Sequence, residues 1–163
     1  MSIDLQEAIK RSIQTEKNAM NFYQLAALGM KDPEARRIFE NLAQEEREHA
    51  GHFYSIYRGD QIPSLEDFLS TPFDNDSGWL SPLIKVFETE FTAKAALELA
   101  MEKEQKLEET LLDFAAKFED AEVRSVYELN AKETHNHYLL IEAEYSRVMG
   151  MVDESDMDTF VRE

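Results

Sequence analysis

Cysteine is absent from the 163-residue chain. Its absence excludes disulfide bonds, thiolate metal sites, iron–sulfur centres and a cysteine nucleophile. Any metal bound by this chain would therefore be held by carboxylate oxygens and imidazole nitrogens. Such a ligand set suits iron or manganese and also allows zinc.

Long apolar runs and basic side chains are also scarce. No run approaches the length of a membrane span, and residues Met1 to Asp4 begin no signal peptide. We therefore expect a soluble, cytoplasmic protein with no membrane partner. Lys and Arg number 17 against 34 Asp and Glu, and the net charge of −17 argues against a nucleic-acid partner.

Glycine and proline are few, 5 and 4 respectively, and most of them fall near the ends of long amphipathic stretches or in the segment between the second and third stretches. Asp, Pro and Thr residues with N-cap or first-turn spacing open these stretches. The four predicted helices run from Asp4 to Gly29, from Asp32 to Gly59, from Thr92 to about Glu119, and from Asp120 to near Gly150.

Residues 59–81 interrupt the helical pattern, and Ser81-Pro82 then opens a short helical piece. A connection of this length suits a crossover that runs along a bundle. The sequence thus predicts an all-α fold, an antiparallel four-helix bundle of two helical hairpins joined by a long crossover. The crossover aromatics Phe68, Phe73 and Trp79 either pack against the bundle, the favoured interpretation, or contribute to a dimer interface.

The predicted bundle occupies residues 1–150. Residues 151–163 are acidic, with Met157, Phe160 and Val161 as a weak apolar stripe. This tail is either a short docking helix or a loose segment.

The chain matches itself at a fixed offset of 88 residues. Glu16 and Glu104 are related by this shift, and so are His49 and His137. The same offset relates further pairs: Ala8 and Ala96, Asp32 and Asp120, Glu34 and Glu122, Ala43 and Ala131, Glu45 and Glu133. Such a repeat predicts two equivalent hairpins, each with a glutamate on its first helix and a histidine on its second. Those four side chains can converge on one central site.

The candidate site residues lie on otherwise apolar helix faces. Glu46 and His49 are three residues apart, so both point to one side of their helix. A charged residue is almost never fully buried unless it is paired or binds a metal. Any one of these groups could be an edge glutamate or a core histidine. Together they indicate one or two divalent cations at the bundle centre.

At these residues the chain resembles the rubrerythrin-like branch of the ferritin-like di-iron carboxylate superfamily. The resemblance covers roughly residues 4–149. It rests on Glu16 followed by Tyr23, on Phe39 with AQEEREH at 43–49, on Glu104, and on AKETHNH at 131–137. It implies a ferritin-like fold with a metal centre. The implied ligands are Glu16, Glu46 (a bridging carboxylate), His49, Glu104 and His137.

The chain departs from the family pattern at three points. Thr134 stands at the repeat partner of Glu46, and Leu107 stands where the family carries a further glutamate. A cysteine-ligated rubredoxin module is also missing. Glu133 lies four residues before His137 and is predicted as a replacement ligand.

Three other side chains could support the ligands. Tyr23 is either a core tyrosine or a group that contacts the ligands, with the core role favoured. His135 and His52 are expected at the surface.

The resemblance implies a metal-dependent redox protein. It would hold iron, with about two ions per chain, or manganese or zinc, and would reduce peroxide or oxidise ferrous iron. Peroxide or oxygen would be the small substrate, an external protein the electron donor, and a homodimer the assembly. Two alternatives stay open, a non-catalytic module with a single ion and a helical scaffold without metal.

Overall fold

The computed structural model describes residues 4–161, with side chains for residues 4–151. Within this range the chain forms six helices and no strand. They are α1 (Leu5–Gly29), α2 (Pro33–Ser55), α3 (Leu65–Leu69), α4 (Leu80–Thr89), α5 (Ala93–Lys117) and α6 (Ala121–Val161). The predicted all-α bundle of two hairpins and a long crossover is confirmed. Residues 1–3, which the signal-peptide prediction concerns, lie outside the described residues.

The four long helices begin where their capping residues predict. Each N-cap side chain accepts a hydrogen bond from the backbone N–H three residues later, which satisfies an otherwise unpaired donor. The pairs are Asp4 with Glu7 at 3.1 Å, Asp32 with Ala35 at 3.3 Å, Thr92 with Ala95 at 3.1 Å, and Asp120 with Val123 at 3.0 Å.

Two predicted helix ends are wrong. Helix α2 stops at Ser55, before Gly59, and the next two residues, Ile56 and Tyr57, turn into the core. Helix α6 passes through Gly150 and continues to Val161. A glycine ends a helix by taking a left-handed conformation, and none in the described residues does so. The side chains of Met157, Phe160 and Val161 lie outside those described.

The two hairpins, α1 with α2 and α5 with α6, meet mainly through α2 and α6. On the opposite side α1 and α5 approach each other less closely, and α4 of the crossover contacts both. Trp79 is buried there, with its ring centroid 5.6 Å from Phe22 and 6.3 Å from Tyr23. The packing interpretation is therefore confirmed for Trp79 and for the partly buried Phe68, whereas Phe73 is exposed. None of the helices in residues 4–161 is long and apolar enough to cross a membrane.

Candidate metal centre

Five of the six predicted site residues are buried in the middle of the bundle. Each lies on the inward face of a long helix and is at most 5% exposed. They are Glu16 of α1, Glu46 and His49 of α2, Glu104 of α5 and His137 of α6. Every long helix therefore contributes at least one of these side chains to a common site at the centre of the bundle.

Glu46 lies between the two histidines. Its Oε1 is 2.9 Å from Nδ1 of His137, and its Oε2 is 3.4 Å from Nδ1 of His49. The imidazole rings are stacked, with centroids 5.0 Å apart. Ligand atoms of these three residues all lie within 4.8 Å of one another, so they could hold a metal ion. One carboxylate oxygen faces each half of the repeat.

Glu16 and Glu104 complete the arrangement on either side. Oε2 of Glu16 lies 3.7 Å from Nδ1 of His49, and Oε1 of Glu104 lies 3.6 Å from Nδ1 of His137. Each half therefore offers an imidazole nitrogen, its own glutamate and one oxygen of Glu46. Two such sets of three ligand atoms lie side by side.

The outer nitrogen of each histidine contacts a glutamate from the other hairpin. Nε2 of His49 lies 2.7 Å from Oε2 of Glu133, and Nε2 of His137 lies 3.1 Å from Oε2 of Glu45. Glu133 thus sits on the far side of the His49 ring from Glu16 and Glu46. It is not brought to the central carboxylates, where the sequence predicted it as a replacement ligand.

Glu45 was missed by sequence reasoning, which placed it on the flank of α2. The signal was available in the repeat, because Glu45 and Glu133 share the offset that relates His49 to His137. Each glutamate precedes the histidine of its own helix by four residues and contacts the histidine of the other. The crossed pairs join α2 to α6.

Tyr23 fills both roles that the sequence left open. It is fully buried in the core, and its hydroxyl donates a 2.6 Å hydrogen bond to Oε1 of Glu104. His135 is exposed as predicted, and its Nδ1 lies 2.9 Å from Oε2 of Glu108. His52 is half-buried rather than at the surface, with Nδ1 3.3 Å from the side-chain oxygen of Asn130.

Without metal the centre retains protons. Burial, together with the charge of Glu46, raises the pKa of Glu16 well above its ordinary value and that of Glu104 to about 7. Burial acts to lower the pKa of His49, but the neighbouring carboxylates of Glu16 and Glu46 raise it to about 11. The pKa of His137 is raised in the same way, against burial, by Glu104, Glu45 and Glu46. Metal ligands must lose their protons to bind, so these protons occupy the positions that metal cations would take.

Glu46 is the carboxylate that stays ionised. Burial acts to raise its pKa, but the neighbouring Glu16 carboxyl and the two histidines hold the pKa well below its usual range. The negative charge of Glu46 is therefore present whether the centre holds protons or metal.

Six buried polar atoms of the centre have no hydrogen-bond partner among the described residues. They are both carboxylate oxygens of Glu16, Oε2 of Glu46, Nδ1 of His49, Oε2 of Glu104 and Oγ1 of Thr134. A buried polar group without a partner costs about 1–3 kcal/mol. Five of these atoms are metal-ligand types, and a pair of cations would satisfy them together. The residues present fit a metal centre.

The fold and this buried cluster define a class of protein, the helical bundles that present carboxylates and histidines to metal ions. A protein-family model described as Rubrerythrin matches residues 7–145. The chain therefore belongs to the rubrerythrin family, within the ferritin-like di-iron superfamily. Comparisons with curated proteins and with solved structures found no match.

The crossed pairs lead to a prediction for metal affinity. We expect Glu133→Gln and Glu45→Gln each to weaken metal binding by about 10–100-fold. The two glutamate carboxylates orient the histidines and raise the basicity of the imidazoles, and glutamine would do neither as well. Ferrous titration of each variant followed by absorbance checks this. Glu128→Gln, an exposed change on α6 outside the cluster, is the control. An affinity equal to that of the unchanged protein would contradict the orienting role.

Proposed function

We propose that the protein binds a pair of iron ions and reduces hydrogen peroxide with electrons from an external donor. The observation that carries this proposal is the pair of ligand sets sharing Glu46, with five unpartnered ligand atoms between them. Ferrous iron at such a site supplies one electron per ion, and two electrons with two protons convert hydrogen peroxide to two waters. The family membership supports the same chemistry.

The chain's own residues provide geometry and protons. His49, Glu16 and Oε2 of Glu46 would hold one ion, and His137, Glu104 and Oε1 of Glu46 the other. Three carboxylates leave one positive charge of two divalent ions uncompensated, so an additional small anion or hydroxide fits the centre.

Tyr23 supports Glu104 directly. Its hydroxyl donates to Oε1 and orients that carboxylate toward the centre. Burial, and then the charge of Glu104, raise the pKa of Tyr23 well above its usual value, so the phenol keeps its proton there.

We propose that the electrons come from an external donor. None of these 163 residues is a cysteine, so they hold no rubredoxin-type iron that could pass electrons to the centre. Oxidation of ferrous iron by the same centre, as part of iron handling, is a variant of this chemistry.

A second candidate is a non-catalytic module that holds a single ion. Thr134 favours it, because this buried residue replaces the carboxylate expected at the repeat partner of Glu46. Loss of that carboxylate removes up to two ligand oxygens and one negative charge, which weakens binding of a second cation.

Metal content after anaerobic ferrous loading separates the two functions. The proposed peroxidase is expected to hold about two iron ions per chain that are oxidised stoichiometrically by peroxide. One ion that peroxide does not oxidise would support the single-ion module. Absence of bound metal would contradict both and leave the helical scaffold.

A further inference from the structure

A small pocket lies between α1 and α5, on the side where the two hairpins approach each other less closely. Its volume is about 60 Å³. One water molecule needs roughly 10–15 Å³ measured in this way, so the pocket has room for a molecule of two heavy atoms. We call it the α1–α5 pocket. Glu16 lies in its wall, although the residue itself is fully buried.

The pocket points at the metal centre through Glu16. Both carboxylate oxygens of Glu16 lack a hydrogen-bond partner, and Oε2 lies 3.7 Å from Nδ1 of His49. A molecule in the pocket would lie against Glu16, the residue proposed to hold one of the ions. Another cleft, lined by Glu45, Glu48 and Glu133, reaches the outer side of the two imidazoles of His49 and His137.

The two walls of the pocket differ in chemistry. Leu107, Leu111 and Phe114 of α5 form an apolar wall. Leu107 occupies the position where the sequence comparison expected a glutamate, so no second carboxylate fills this space. The apolar wall favours a small uncharged molecule over a cation.

Two hydroxyls border the apolar wall, Thr15 on α1 and Thr110 on α5, and both are oriented as acceptors. Thr15 donates its proton to the carbonyl of Arg11, and Thr110 donates to the carbonyl of Lys106. Their lone pairs stay available to a ligand that carries O–H donors. Hydrogen peroxide has two such donors and dioxygen has none, so these two hydroxyls favour peroxide over dioxygen.

We propose that the α1–α5 pocket is the binding site through which hydrogen peroxide reaches the Glu16 side of the centre. This inference rests on the proposed function and names its substrate and route. Thr110 stands at the exposed edge of the pocket and Leu107 at its buried end.

The first test blocks the pocket from outside. Thr110→Trp is expected to slow peroxide oxidation of the ferrous-loaded protein by about tenfold or more, with unchanged iron content, because the indole covers the opening. Leu112→Trp is the matched control, since Leu112 is also exposed on α5 but does not line the pocket. Thr15→Trp repeats the block from α1. Equal stopped-flow rates in blocked and control variants would overturn the proposal.

The oxidant is distinguished by repeating the rates with dioxygen. We expect the block to slow oxidation by peroxide more than oxidation by dioxygen, because only peroxide can donate hydrogen bonds to the hydroxyls of Thr15 and Thr110. An equal slowing would show a general gas and solute route and would overturn the assignment to peroxide.

The second test needs no iron. Crystals of the metal-free protein under xenon pressure are expected to show xenon against Leu107 and Leu111, and none there in Thr110→Trp. Xenon elsewhere but not in the pocket would overturn the proposal. If the unchanged protein binds no iron, the proposed function fails while the xenon result still decides the pocket.

Discussion

Replacing Glu46 with glutamine is expected to abolish loading of both ions. The two oxygens of Glu46 face the two histidines, at 2.9 Å and 3.4 Å, so one side chain serves both ligand sets. Loss of an orienting group outside the ligands already costs about 10–100-fold in metal affinity. Loss of a shared ligand should exceed that range for each ion. Glutamine preserves the volume, so the bundle avoids a cavity.

Iron content per chain after anaerobic loading and desalting measures this effect. Glu40→Gln is the matched control, because Glu40 is an exposed glutamate on the same helix and lies outside the cleft beside the histidines. We expect the control to retain the iron content of the unchanged protein. Retention of one ion in Glu46→Gln would mean that the two sets bind independently, which contradicts the shared role of Glu46.

The stability of the metal-free protein is expected to fall as pH rises above about 6.5. The folded-state pKa of His49 is about 11 against an ordinary value of 6.5. A raised pKa contributes stability that is fully present below the unfolded value and is lost as pH rises toward the folded value. Each extra proton held by the folded state contributes about 1.4 kcal/mol per pH unit within that window. His137 acts in the same direction.

The buried carboxyl groups act in opposite directions on the pH dependence of stability. Glu104, with a pKa raised from 4.5 to about 7, also loses its contribution as pH rises through that interval. Glu46 has a lowered pKa, so its contribution is present above 4.5 and is lost as pH falls. Among these groups, the stability maximum of the metal-free protein therefore lies on the mildly acidic side of neutrality.

Metal should reverse the alkaline loss, because bound cations replace the retained protons. At a free metal concentration of about 100 times Kd, one site adds about 2.7 kcal/mol. We expect this gain to be larger at pH 8 than at pH 6, since ligands must be deprotonated to bind. Urea unfolding of metal-free and loaded protein at both pH values checks it. A metal-free protein that becomes more stable between pH 6 and 8 would contradict the proton assignment.

Much of the centre was predictable because helical periodicity carries direction. Three-residue spacing placed Glu46 and His49 on one face, and the offset of 88 residues related the two hairpins. Glu133 was predicted as a replacement ligand from the same kind of spacing, and its carboxylate contacts the outer nitrogen of His49. Periodicity states which side of α6 it occupies, but the neighbour on that side belongs to α2.

The sequence by itself determined the helices, their N-caps and the inward faces, because these depend on residues close together in the chain. It also determined which residue types meet at the centre. Only the tertiary structure decided how far α1 lies from α5, which leaves the α1–α5 pocket beside Glu16. It alone decided that Glu45 and Glu133 cross between hairpins to the two histidines. Both features depend on distances between helices that are far apart in sequence, and packing of whole helices sets those distances.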